Sequence, residues 1–331
     1  MMKYHLLWVL ATTLMLIGCH SKSDSQEVAE AKQVDTVIVY MTRNINAESL
    51  VKIYDAMGVL PASNDRVAVK ISTGEMGGNN YLKPELIGDL VRHVNGTIVE
   101  CNTAYGGSRA TNEAHWKTIR AHGFDKIAPV DIMDEEDTIH IPVQDTKHIA
   151  FDIVGSHLKN YNYMISLAHF KGHAMGGFGG VLKNQSIGVA SSQGKAYIHS
   201  AGYTQHVDSC WNHIEDQDGF LESMAAAAQA VHNYFGEKIV YINIMNNMSI
   251  DCDCDDSPEA PKIQDIGILA STDPVALDKA CLDLLFNITS DEQNDPQPMF
   301  DRIKKQHGTH IIDYAENIGL GSKVYKLIYV D

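Results

Sequence analysis

Short runs of β-branched and other apolar residues alternate along the chain with longer segments whose apolar positions recur every three or four residues. This is the pattern of strands alternating with amphipathic helices. Thr36 to Met41 reads as a strand and Ala47 to Met57 as a helix, and Val67 to Ile71, Lys83 to Val94, Thr97 to Cys101 and Asn112 to His122 continue the alternation. Pro84 falls near the first turn of its helix, where a missing N–H costs nothing. Thr138 to Val143 and His148 to Phe151 predict a hairpin or an edge element, and Tyr163 to Leu167 predicts a strand. Further on, Gly219 to Tyr234 contains four consecutive alanines and predicts a helix, followed by strands at Lys238 to Met245 and Asp265 to Ala270. Asp273-Pro274 then opens a helix to about Phe286, because Asp accepts backbone N–H bonds at an N-cap and Pro fits the first helical position. The expected fold is α/β, a mainly parallel or mixed sheet with helices on both faces.

The first residues break this pattern. An apolar run from Leu6 to Ile17 follows the single charge of Lys3; it is short for a bilayer span and reads as the hydrophobic region of a signal peptide. It ends in Leu16-Ile17-Gly18-Cys19, which resembles the bacterial lipobox, where cleavage before the Cys leaves it to carry acyl chains. The expectation is a signal peptide at 1–18, lipidation of Cys19, and a folded body held on a membrane of the bacterial cell envelope, on the extracytoplasmic side. A secretory segment with an incidental Cys is the alternative. The polar stretch 19–34 reads as a flexible tether, and 35–331, free of Pro/Gly/Ser-rich linkers and internal repeats, as a single α/β domain.

The formal charge of −16 argues against nucleic acid and anionic lipid surfaces as partners, since both reward a basic face. A small anionic ligand stays open, because Lys171 with Lys183 can oppose the global sign locally. Besides Cys19 there are five cysteines: Cys101, Cys210, Cys252, Cys254 and Cys281. An odd number cannot all pair internally, so some thiol must be free, buried or metal-bound.

Two clusters carry the chemistry. The segment from His169 to Asn184 holds His169, Lys171, His173 and Lys183 among five glycines, a composition unsuited to an ordinary core element and suited to a backbone that approaches a metal or an anion. With so many glycines a loop is expected, so His169 and His173 would act as ligands through loop geometry rather than from one helix face. The second cluster is Asp251-Cys252-Asp253-Cys254-Asp255-Asp256. At an extended strand end both thiols would point the same way, and the surrounding carboxylates would raise their pKa unless a divalent metal supplied positive charge. A solvated acidic loop, or one thiol bridged to Cys210, are the competing readings. Two post-strand loops add further candidates. Gly74 to Asn80 brings Glu75 beside the strand residue Lys70, suited to acid/base work or ligand contact. Asn102 to Arg109 brings an amide, a phenol and a guanidinium that can grip an oxyanion. These four regions all follow predicted strands, so they are expected in one crevice. Asp278, in the first turns of its helix, has no evident task.

The order of His169 to Asn184, then Gly194-Lys195 with His199, then Asp251 to Cys254, then Asp265 to Cys281, resembles the family known as domain of unknown function 362. The segments from Lys70 to Glu85 and from Asn102 to Arg109 resemble its N-terminal half. Many members are named iron–sulfur centre proteins for a ferredoxin-like cysteine insert. Here only Cys210 lies between Lys195 and Ile250, so no iron–sulfur cluster is expected. Gly188-Val189 also stands where related sequences often have Gly-Cys. The leading expectation is a metal-dependent enzyme for a small anionic substrate. His169, His173, His199, Cys252 and Cys254 are the candidate ligands of a zinc-like or iron divalent ion. Lys70, Asn102, Arg109, Lys183 and Asn184 are candidate anion contacts, and Glu75 and Lys171 candidate catalytic groups. A non-catalytic metal- or ligand-binding lipoprotein, and a scaffold that has lost its redox cluster, are the alternatives.

Overall fold

In the computed structural model, which describes residues 36–331, the expected alternation builds one eight-stranded sheet. The segments expected as signal peptide and tether, with Cys19, lie outside the described residues. Strand β1 (Val37–Thr42), helix α1 (Ala47–Ala56), β2 (Val67–Lys70), α2 (Pro84–His93), β3 (Thr97–Glu100), α3 (Asn112–His122) and β4 (Val130–Ile132) form the N-terminal half. A separate antiparallel hairpin follows, β5 (Thr138–Pro142) with β6 (Phe151–Gly155), and the chain then returns to the sheet as β7 (Tyr163–His169). Next come β8 (Lys171–His173), β9 (Gly177–Gly179), α4 (Val181–Gln185), α5 (Ser192–His199), α6 (Val207–Cys210) and the long α7 (Gln217–Phe235). The remainder is β10 (Ile239–Met245), β11 (Gly267–Ser271), α8 (Pro274–Phe286), α9 (Gln297–Lys305), α10 (His310–Asn317) and β12 (Tyr325–Tyr329).

The sheet order is β12-β1-β11-β10-β7-β2-β3-β4, and only β11 runs antiparallel to its neighbours. The fold is thus α/β with a mixed, mostly parallel sheet. Period-two alternation divides the core: in β7, Tyr163, Ile165 and Leu167 face one layer with Leu50, Ile87 and Ile119, while Met164 and Ala168 face the other with Phe220, Val275 and Leu282. Helix α8 starts where the sequence places it, with the Asp273 carboxylate accepting from the N–H groups of Val275 and Ala276 at 2.8 and 2.9 Å.

Two expectations need correction. The second hairpin strand begins at Phe151 rather than His148, because Asp152 and Val154 alternate with Phe151 and Ile153 to make the ladder against β5. The Gly-rich segment is not a loop: Lys171–His173 and Gly177–Gly179 form a tight antiparallel hairpin that runs into α4. Gly172 is required there, since a Cβ would lie 2.1 Å from the Ile250 carbonyl oxygen.

Candidate metal centre

The carboxyl ends of parallel strands β2, β3 and β7, with the loop after β10, enclose a cavity of about 290 Å³. Ligands in open α/β sheets collect at this end of the strands. Lys70 ends β2, Glu100 ends β3, His169 ends β7, and Cys252, Asp253 and Cys254 come from the loop after β10. Of the four post-strand regions expected in one crevice, those after β3, β7 and β10 line it, while the 74–80 loop abuts it, with the Glu75 N–H on the Asp253 carbonyl at 2.9 Å.

Within the 252–254 loop the side chains divide by chemistry. Asp253 turns to Lys171 (Nζ–Oδ2 2.8 Å) and to His169 (Nδ1–Oδ1 2.9 Å), fully buried with both. The two thiols turn to His173, and one ligand atom from each of His173, Cys252 and Cys254 lies within 4.8 Å of the others. A strand end is not the cause of this common direction. The Asp255 N–H donates to the Cys252 carbonyl at 3.0 Å, closing a turn, and the Cys254 N–H reaches the Cys252 Sγ at 3.3 Å. The expected rise of both thiols is met at Cys252 alone, and its cause is not the acidic flank. The Asp253 charge is spent on Lys171 and His169, while the Lys183 ammonium stands 3.8 Å from the Cys254 Sγ. A hydrogen bond from Cys252, with Lys183 and His173 alongside, pulls the Cys254 thiol well down, and Cys252, donating that bond, is pushed up. A half-buried thiolate beside an ammonium is a ready ligand for a borderline-soft cation.

His173 accepts from the Gly176 N–H at Nδ1, 2.8 Å away, which leaves Nε2 for a ligand. Burial and Lys183 hold its imidazole down at about 4, so it is neutral and carries a lone pair near neutral pH. His169 is not in the cluster: Nδ1 is bound by Asp253 and Nε2 by the Asn246 carbonyl at 2.5 Å. His199 also stands apart, on the last turn of α5 at the cavity wall. Its Nδ1 donates to the Lys195 carbonyl at 2.7 Å and its ring stacks on Phe220 at 5.0 Å. Burial first, and Lys183 after it, keep His199 at about 4, and no partner for Nε2 occurs among the described residues.

Several remaining candidates have structural partners. Glu75 accepts from Tyr105 Oη (3.0 Å), Arg109 Nε (2.9 Å), Ser108 N (2.7 Å) and Ser108 Oγ (2.5 Å), so its acceptor sites are full and it cannot serve as the proton carrier expected of it. Arg109 is clamped between Glu75 and Glu100, with further bonds to Ser72 and Tyr105, and is not free to grip a ligand. Asn102 bonds to Asn112 and His115 behind the wall and does not line the cavity. Lys171, paired with Asp253, orients the thiol loop rather than facing a substrate alone. Lys70, Lys183 and Asn184 do line the cavity, and Asn184 holds Lys70 by an amide oxygen at 3.2 Å.

One participant, Glu100, was missed from sequence, and Tyr105 and Lys195 were seen there without these roles. Tyr105 bridges Glu75 and Arg109; Glu100 binds Arg109, Thr73 and His115; Lys195, from a buried face of α5, lines the cavity beside Trp211. Lys195 was visible only as part of the Gly194-Lys195 pair. Asp278 has a task after all: its carboxylate accepts from the Val181 and Leu182 N–H groups (2.9 and 3.0 Å) and from the Asn243 amide, capping α4 from α8. Gly180 makes room, since a Cβ there would sit 2.2 Å from the Asp278 Oδ1.

A family model described as "Domain of unknown function (DUF362)" matches residues 67–283, more than half of the chain. Among curated proteins none matches. Two solved structures share a general likeness, the lactate racemase apoprotein from Thermoanaerobacterium thermosaccharolyticum and a protein from Thermotoga maritima. Each has a TM-score of 0.43 and 12% identity, over 77% and 71% of this chain. The chain spans 58% and 57% of their lengths, and a likeness at that level says nothing about chemistry.

Proposed function

Given that the chain belongs to the family of domain of unknown function DUF362, whose name carries no reaction, we propose that it is a metal-dependent enzyme acting on a small anionic molecule. The carrying observation is the meeting of two thiols and one imidazole within 4.8 Å on the wall of an enclosed, lysine-lined cavity. Three protein ligands leave a tetrahedral ion one open position, the arrangement of catalytic rather than structural zinc sites. A zinc-like or iron divalent ion held there would polarise a substrate oxygen.

This chain's own groups would divide the remaining work. Lys183 and its neighbours hold the anionic part, and His199, neutral and with Nε2 unpartnered among the described residues, accepts a hydrogen bond from the substrate. That unpartnered acceptor on the cavity wall favours a substrate site over a passive metal carrier. Elemental analysis of protein purified without chelator or affinity histidines should find a transition metal. Cys254→Ser and His173→Ala should each lower its content, and acidification should release it as the ligands take up protons. Metal content unchanged in both variants would sink the proposal, whereas a metal-loaded His199→Ala protein should lose turnover while keeping its ion.

The proposal extends to location: the protein is carried on a membrane of the bacterial cell envelope by acyl chains on Cys19, with its body extracytoplasmic. Cys19→Ala should abolish lipid labelling and shift the protein out of the membrane fraction. Unchanged labelling would end the claim.

A further inference from the structure

The cavity wall carries five cations, Lys70, Lys171, Lys183, Lys195 and Arg109. Lys171 is paired with Asp253, and Arg109 with Glu75 and Glu100. The other three make no salt bridge among the described residues. Lys195 Nζ bonds only to the Ala190 carbonyl (2.5 Å), Lys70 Nζ to the Ile71 carbonyl (2.5 Å) and the Asn184 amide oxygen (3.2 Å), and Lys183 Nζ only to the Cys254 sulfur (3.8 Å). An ammonium has three donors, so each of the three has at least one N–H without a protein partner. Lys70 and Lys195 are 2% and 6% exposed, and a buried charge without a counter-charge is costly unless something else meets it.

Their neighbours keep the arrangement from relaxing. Gly188 packs against Lys70 so closely that a Cβ would lie 2.6 Å from its Nζ. Burial holds Lys70 down at about 8 against the pull of the Glu100 carboxylate, whose oxygens are already taken by Arg109 and His115, and Lys195 pushes it down further. Asp152, whose buried carboxyl Lys195 also influences, has neither oxygen hydrogen-bonded among the described residues and does not close the gap. The rest of the wall is largely apolar, with Ala104, Ala168, Met175, Ile187 and Trp211. A volume near 290 Å³ sits at the lower end of the range for small-molecule sites, so the occupant is compact.

We propose that Lys70, Lys183 and Lys195, with Asn184 holding Lys70, form an oxyanion cage that binds the carboxylate or phosphate head of a small molecule whose compact apolar body lies against Trp211, Met175 and Ile187. This deepens the reading of the same cavity as the site of an anionic substrate, but it stands without the metal, because no thiol is needed to hold the head.

The test is calorimetric titration of the full-length protein with benzoate and phenyl phosphate as probes of the two heads, and with benzamide as the uncharged counterpart. One or both anions should bind while benzamide does not, and the binder should raise the melting temperature. Lys195→Met and Lys70→Met should each weaken that binding at least tenfold, and Lys195→Arg should recover most of it. The double variant Cys252→Ser, Cys254→Ser should bind the anion as tightly as the wild type, which keeps the cage distinguishable from the metal reading. If neither anion binds, or benzamide binds equally well, the cage is wrong; that comparison on the wild type holds even if a lysine variant fails to fold. Binding lost with the thiols but kept in both lysine variants would place the head on the metal and overturn the proposal. A protein that binds the anion but no metal would retain the cage and lose the metal centre.

Discussion

Glu75 and Asp152 show how two buried carboxyls in one fold come to opposite states. Glu75 has four donors on its two oxygens, one of them the guanidinium of Arg109, which is itself only 3% exposed. Glu75→Ala leaves part of that buried cation unpaired and should lower stability by about 3 kcal/mol, the scale for breaking a buried ion pair, as read by urea denaturation. A proton-transfer residue would instead lose turnover at unchanged stability. Asp152 has no hydrogen-bond partner among the described residues, and burial pushes it up to about 7. The unfolded chain gives up this proton near the ordinary carboxylate value of about 4. Between roughly pH 4 and 7 the folded protein therefore holds a proton that the unfolded chain has lost, and stability falls as pH rises through that window. Asp152→Asn should remove this slope: little change at pH 4, and at pH 8 a gain on the order of 4 kcal/mol. Equal differences at both pH values would mean that Asp152 has an unrecognised partner. The sequence displayed the site's residue types, because His173, Lys183, Cys252 and Cys254 sit in dense local clusters of reactive groups. It hid their assignments. Whether a carboxylate faces a ligand or an arginine depends on pairs such as Glu75 with Arg109 and Asp253 with His169, which only the fold brings together.

At the level of elements, strands with continuous apolar runs and helices with strong caps were legible nearly to the residue, as in α3 and α8. Local chemistry determines those ends. The β8–β9 hairpin was not legible, because its glycines answer to tertiary neighbours: Gly172 to the Ile250 carbonyl and Gly180 to Asp278. The hairpin carries His173 and packs on the segment that leads into the thiol turn, its Gly172 N–H on the Ser249 carbonyl at 2.9 Å and its Gly172 Cα against Ile250, so the imidazole and the thiols are held in register through the backbone. Gly172→Ala should push these segments apart. The expected result is weaker metal binding, measured by competition with a chromogenic chelator, at nearly unchanged helix content by circular dichroism. Equal affinity in variant and wild type would show that the turn tolerates the displacement.

Across the whole molecule, the mixed sheet was expected but its order was not. Nothing local to β1 shows that it lies between β11 and β12, with Tyr40 facing Ala270 on one side and Ile328 on the other. The far end is fastened again by the Val330 N–H to the Met41 carbonyl at 2.9 Å and by Asp331 to Thr42. Removing Tyr325–Asp331 strips one edge of β1 and should lower the urea midpoint and produce species larger than a monomer by size-exclusion chromatography, as unpaired edges do. A truncated protein as stable and monodisperse as the wild type would show that β12 is dispensable.

The same arrangement sets a timetable. Both strands that flank β1 lie more than 220 residues after it, so as the polypeptide emerges the first strand among the described residues waits long for a ladder to join. Pairings this distant in sequence form slowly, since the entropy of closing the loop comes before any contact rewards it. The molecule is therefore closed by its final strand, and the capping of α4 by Asp278 must wait almost as long. A strand left without its ladder keeps this part of the fold open longest, which suits a polypeptide that is to pass through a narrow channel before it folds, as the proposed export requires.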